Sequence, residues 1–250
     1  MKNKLLLLLI LGIAFFASCN DSNDDDDDAI VGTWKVTPVE ADAEGSFVSG
    51  SLEMKWEADS AQIMGMSVEN CAALAEQLGS ILLPQVLKDV TSQKNGQVVA
   101  TYSDAGISID TDEPVEPNWK TSEPKYLTYK VLSDSQMALY LNLTNILGAA
   151  NADLTAIDLD PADVQTLMAF ASKVAKDGVV VKYNLVEETG KLTITVTKEL
   201  FDQVMPLLPI VKKLIPADND YAGLISLVLE TLPDAWAKTT AFEISLKLEK

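Results

Sequence analysis

The chain contains no histidine, and all 19 of its basic residues are lysines, because arginine is absent as well. Without an imidazole, neither a Ser-His-Asp nor a Cys-His nucleophile system can be assembled from this chain, and no zinc site can use histidine. Without a guanidinium there is no planar fork for bidentate recognition of phosphate, carboxylate or guanine edges. Positive charge is scarce overall: the net charge is −18 over 250 residues. Lys2 and Lys4 lie in the first eighteen residues, so the remainder holds 17 lysines against 37 acids, a balance of −20. Nucleic acid is repelled by such a chain and is not an expected partner. Long apolar runs are missing too. The longest, residues 5–16, has about twelve residues, against the roughly twenty needed to span a bilayer. What remains is 48% hydrophobic and long enough to bury a substantial core.

Residues 1–18 combine a basic start, that apolar stretch and a small pair, Ala17-Ser18, which together read as a removable signal peptide. Ala17-Ser18 before Cys19 resembles the lipobox of bacterial lipoproteins, with Phe16 where the family more often has an aliphatic residue. The resemblance implies cleavage before Cys19, diacylation of its sulfur and a firm membrane anchor. Only Cys71 is available to pair with Cys19, and it sits in an apolar helical pattern that favours burial as a small hydrophobe. Five adjacent aspartates at residues 24–28 repel one another, so residues 19–28 are expected to form an extended, solvated tether. An acidic cluster just past the cysteine resembles the surface-export signal of Bacteroidetes lipoproteins. It implies a folded part outside the cell, held at the outer membrane; a periplasm-facing lipoprotein is the alternative.

Residues 29–250 read as one domain. Period-two alternation marks strands at residues 30–37, 47–57, 97–103, 127–131, 137–143, 179–186, 191–197 and 242–248. Each has one apolar and one wet face, the pattern of an antiparallel sheet. Short polar links at residues 133–135 and 187–190 close two hairpins. Helices are expected at residues 67–90, with Leu74, Leu78, Ile81, Leu82 and Val86 as the apolar stripe and a kink at Pro84, and from the Asp160-Pro161 cap to Gly178. Two more are expected at residues 198–215, broken by Pro206 and Pro209, and at 221–232. The resulting fold class is mainly β with α insertions: an antiparallel meander of about eight strands, enough to close a small barrel. The segments LLPQVLK (82–88) and LLPIVKK (207–213) are alike, but seven aliphatic-rich residues match easily by chance.

Gly32-Thr33-Trp34 on the first strand resembles the Gly-x-Trp signature that opens lipocalin and lipocalin-like barrels. The resemblance implies a structural role for Gly32 and Trp34 at the closed base of a barrel. An arginine from the last strand usually stacks on that tryptophan; here Lys247 or Lys250 must substitute, without the planar fork.

No catalytic or metal-binding residues stand out, and no cofactor is implied. Asp110-x-Asp112-Glu113 and Asp218-Asn219-Asp220 cluster oxygen ligands but lack the glycine and distant glutamate of an EF-hand loop. Asp158, Asp160 and Asp163 flank a helix start, where acids are favoured anyway. With 37 acids, candidate carboxylate pairs for glycoside hydrolysis abound without pointing to any. The expected function is therefore a non-catalytic binding module for an apolar or partly apolar small ligand or glycan. Trp56, Leu139 and Ile194 are the inward candidates, and Trp119, in a proline-rich stretch, is the exposed one. The alternative is an interaction lipoprotein with a filled barrel that contacts a membrane-complex partner through its helices or loops.

Overall fold

A computed structural model describes residues 29–108, 115–142, 145, 159–214 and 222–250. The strands, in chain order, are β1 (Gly32–Val36), β2 (Glu40–Ala41), β3 (Phe47–Ser49), β4 (Leu52–Ala58), β5 (Gln62–Ile63), β6 (Met66–Ser67), β7 (Leu87–Ser92), β8 (Val98–Ser103), β9 (Trp119–Thr121), β10 (Leu127–Ser133), β11 (Gln136–Leu141), β12 (Val179–Val186), β13 (Lys191–Thr197) and β14 (Thr239–Glu249). The helices are α1 (Val68–Val86), α2 (Pro161–Asp177), α3 (Lys198–Val204), α4 (Leu208–Leu214) and α5 (Ala222–Ala237). The fold is mainly β with inserted helices. Among the described residues no helix is long and apolar enough to cross a membrane, which says nothing about strands.

Ten strands form one antiparallel sheet in the order β10-β11-β12-β13-β14-β1-β7-β8-β9, with β4 also on β14. The expected hairpins at residues 133–135 and 187–190 join β10 to β11 and β12 to β13. In the second, Gly190 turns the chain at φ +61, a left-handed conformation that glycine enters without steric cost. The long β14 divides one edge between two partners. It pairs with β4 from Thr239↔Ala58 to Leu246↔Leu52, then with β1 at Val36↔Leu248 and Lys35↔Glu249. At the far side, β10 returns to the start of β8. An isolated antiparallel bridge joins Gln97 to Thr128, and Tyr129 N donates to Gly96 O at 3.0 Å.

Register places the apolar residues of successive strands opposite one another on one face. Tyr129 faces Leu139, Leu139 faces Val179, Tyr183 faces Ile194, Leu192 faces Leu248, and Trp34 faces Val90. These residues, joined by Val86 and Leu83 of α1 and Val174 of α2, make the main core. A second core sits where β4 meets the upper half of β14: Trp56, Ile63, Val68, Ala72, Trp236 and Phe242 pack there.

Two expectations fail. The helix over 67–90 stops at Val86, because Leu87 is extended (φ −128, ψ 117) and begins β7. Local aliphatic content allowed helix or strand there; the ladder to β1, with Val90 opposite Trp34, decided for strand. The single strand over 47–57 is also divided, into β3 and β4, at Gly50-Ser51.

That break lets α1 lie directly on β4. The Cβ atom of any larger residue at Gly50 overlaps Ser80 Cβ, and one at Gly79 comes within 2.5 Å of Leu52 Cδ1. At this distance the helix side chains replace a neighbouring strand. Leu52 N donates to Ser80 Oγ at 3.0 Å, Ser80 Oγ donates to Leu52 O at 3.3 Å, and Met54 N donates to Glu76 Oε2 at 3.1 Å. The free edge of β4 is thereby covered, which removes a template for edge-to-edge association. Gly50→Ala forces α1 away from β4, and an overpacking loss of about 1–3 kcal/mol is expected in urea unfolding.

Candidate functional site

The fold separates the residues singled out in the sequence. Leu139, with 0% exposure, lies in the main core between Tyr129 and Val179. Ile194 is half-buried against the same core, opposite Leu246. Trp56 belongs instead to the second core. Trp119, 37% exposed, sits on the short strand β9 rather than in a loop, opposite Ser103. Three of the four side chains are thus engaged in packing, in two different places, and they do not converge on one lining.

At the foot of β1, Trp34 is completely buried. Its Nε1 donates to Ile30 O at 2.7 Å, and Lys250 Nζ stands 4.7 Å from the ring centroid. Of the two candidate lysines, Lys250 therefore takes the stacking place, while Lys247 pairs with Glu53 at 2.7 Å. Gly32 has φ +142, a conformation strained for residues with a side chain, and a Cβ there comes within 3.5 Å of Lys250 Cε. Gly32 and Trp34 thus both lie against Lys250, the tryptophan through its ring face and the glycine at ordinary contact distance.

The second core is an aromatic box. Trp56 lies edge-on to Phe242 at 5.2 Å and to Trp236 at 6.3 Å, and Phe201 of α3 adds a further face. Its polar atoms are all used. Trp56 Nε1 donates to Thr239 Oγ1 at 2.9 Å, and that hydroxyl donates to Ala235 O at 3.0 Å. Asp202 Oδ1 accepts from Trp236 Nε1 at 2.8 Å and from Lys198 Nζ at 2.7 Å. Partial burial pushes the Asp202 carboxyl up, but these two donors outweigh it and hold the group below the ordinary carboxylate range.

Acidic residues serve as caps. Asp160 accepts from Ala162 N and Asp163 N at 2.9 Å each, Asp163 accepts from Asp160 N at 3.2 Å, and Lys213 of α4 pairs with both carboxylates. Among the described residues no three acidic or cysteine groups are placed to hold a metal ion. Cys19, Asp110, Asp112, Glu113, Asp158, Asp218 and Asp220 lie outside the described residues. The backbone donor at Asp163, with Ala162 and Lys213, lowers the Asp160 pKa. A depressed carboxylate contributes stability above its unfolded value, about pH 4, and loses it as pH falls through the lower folded value. The α2 start is accordingly expected to fray in acid, with Asp160→Ala, which removes the cap acceptor, already frayed at neutral pH; amide exchange at Ala162 and Asp163 measures both.

The expected apolar stripe of α1 is divided by the fold: Val86 is buried in the main core, while Leu74, Leu78 and Ile81 are 44%, 43% and 39% exposed. The buried side carries Val68, Ala72, Ser80, Leu83 and Val86. Where α1 comes closest to β4 only the small Gly79 and Ser80 fit. Beside this stripe an open groove of about 550 Å³ runs between α1 and the β2–β3 hairpin, lined by Phe47, Val48, Ala73, Glu76 and Gln77 among others. The sequence signal was present in the spacing of Gly79-Ser80 against Leu78 and Ile81, but spacing alone does not say which stripe a sheet will choose. No protein-family model matches the chain, and neither a curated protein nor a solved structure matches it.

Proposed function

We propose that this chain is a lipid-anchored outer-membrane lipoprotein, carried on Cys19 and the acidic tether and displayed at the cell surface, whose domain is an interaction module rather than a container. The domain is read as a lipocalin-like barrel of eight strands, β1, β7, β8 and β10–β14, joined at the Gln97–Thr128 seam. The observation that carries the functional reading is the packing of the inward face. Trp34 and Leu139 have no exposure, and Met137, Val181, Leu192 and Leu248 have at most 2%. A small-ligand site needs concave space bordered by a few polar groups; here the inward positions contact one another. What a partner can reach is the outside, above all α1 and its groove.

A thermal-shift panel of fatty acids, sterols and oligosaccharides tests this reading. No compound at about a hundred micromolar is expected to raise the melting temperature. A compound that does so in the native chain, but not after Leu139→Trp, restores the container. On intact cells, externally added protease is expected to remove the domain; protection until the outer membrane is opened reverses the display.

A further inference from the structure

We propose that the exposed face of α1 is a self-association surface, on which a second copy of this chain docks its own α1 antiparallel across a two-fold axis at Leu78. The inference deepens the interaction-module reading by naming the partner. Cys71, half-buried at the edge of the second core, and Leu74, Leu78 and Ile81 are spaced 3, 4 and 3 residues apart, the alternation of a heptad seam, over about three turns of helix. Three of them are large, apolar and over a third exposed, on a helix whose other side is already committed to β4. A heptad-spaced apolar stripe suits another helix bearing the same spacing. With Leu78 on the axis, Leu74 of one copy meets Leu82 of the other and Ile81 meets Ala75, so each large side chain of the stripe finds an apolar partner and each pairing occurs twice, as a two-fold interface requires.

Charge selects the same occupant. Two copies each carrying a net −18 repel over most of their surfaces. From Asn70 to Gln85 the one carboxylate is Glu76, which accepts from Met54 N on the β4 side. The positions flanking the seam, Asn70, Ala75, Gln77 and Leu82, are uncharged, so pairing brings no like charges together. A basic partner has nothing to neutralise here. A lipid surface is disfavoured because a membrane-seeking helix is bordered by lysine, and none occurs between Lys55 and Lys88.

The β5–β6 hairpin extends the surface. It enters α1 directly at Val68, and its tip holds Met64 at φ +53, a left-handed conformation costly for a residue with a side chain. Met64 and Met66 are both exposed there. In the antiparallel arrangement this end of one copy lies beside the Leu82-Leu83-Pro84 end of the other, where flexible methionines fit an uneven apolar surface.

Sedimentation velocity of the purified chain tests the surface. A concentration-dependent dimer is expected at micromolar protein, with Leu78→Glu raising the dissociation constant at least a hundredfold while circular dichroism stays native. In a Cys71→Ser background, Leu78→Cys is expected to form an intermolecular disulfide under mild oxidation at least tenfold faster than Val180→Cys, an exposed control on β12. A monomer at about 100 μM overturns the inference. So does a dimer that survives Leu78→Glu, which would be held by the lipid end, or equal cross-linking at Leu78→Cys and Val180→Cys. Binding of the monomer to phosphatidylethanolamine vesicles that is lost in Leu78→Glu assigns the stripe to lipid and likewise overturns it. The interaction-module reading fails separately, by a stabilising small ligand in the panel.

Discussion

Trp34→Ala is expected to lower the stability of the domain by about 3–5 kcal/mol, a fall in melting temperature on the order of 10 °C. The side chain is fully buried, is opposed by Val90 across the β1–β7 ladder, and ties its own strand back to Ile30 through the 2.7 Å indole hydrogen bond. Its loss opens a cavity where β1, β7 and β14 come together and leaves the buried Ile30 carbonyl without that donor. The lysine over the ring allows a finer check. Lys250→Ala removes the cation but no buried volume, and is expected to cost about 0.5–1 kcal/mol, near the lower end because the residue is exposed. Lys250→Arg retains the contact, since a guanidinium stacks on an aromatic face at least as well. Guanidinium chloride unfolding of the three variants gives the ordering directly. A Trp34→Ala protein within about 1 kcal/mol of native would show that β1 is not seated by this residue.

Trp56→Ala is the second large effect, expected at about 3–5 kcal/mol, with loss of the near-ultraviolet dichroism that the Trp56–Trp236 pair contributes. Trp56 is the centre of the second core. Its ring packs edge-on to Phe242 and Trp236, and its Nε1 satisfies the Thr239 hydroxyl. Trp56→Phe retains most of the volume and drops only the donor, so about 1 kcal/mol is expected. The pair of variants separates packing from recognition. A tryptophan kept as a platform for a ligand would leave stability nearly unchanged when truncated and abolish binding instead.

The strands were largely legible because alternation is written locally. Residues 179–186 read as a strand with Val179, Val181, Tyr183 and Leu185 on one face, and β12 presents those four to the core. The Asp160-Pro161 start of α2 was legible for the same reason: a cap is made by residues a few positions apart. Residues 87–92 were not, since Leu-Lys-Asp-Val-Thr-Ser continues a helix as acceptably as it starts a strand until β1 is beside it. Nor was the fate of Trp56: its strand was foreseen, but besides the nearby Ile63, Val68 and Ala72 its core draws its aromatic rings from α3, α5 and β14, about 150 residues or more further along the chain.

By itself the sequence determined the chemical limits of this protein, because missing histidine and arginine cannot be restored by any fold. It determined the alternating strands and the caps as well, since both depend on neighbours within a few residues. Tertiary structure alone decided that Lys250 rather than Lys247 lies over Trp34, and that Leu139 and Trp56 serve two different cores. It also decided that α1 turns Gly79 and Ser80 to β4 and leaves Leu74 and Leu78 to solvent. The physical reason is common to all three. Periodicity tells which residues share a face, but only the distance of closest approach between distant segments decides which face is covered and which is left for a partner.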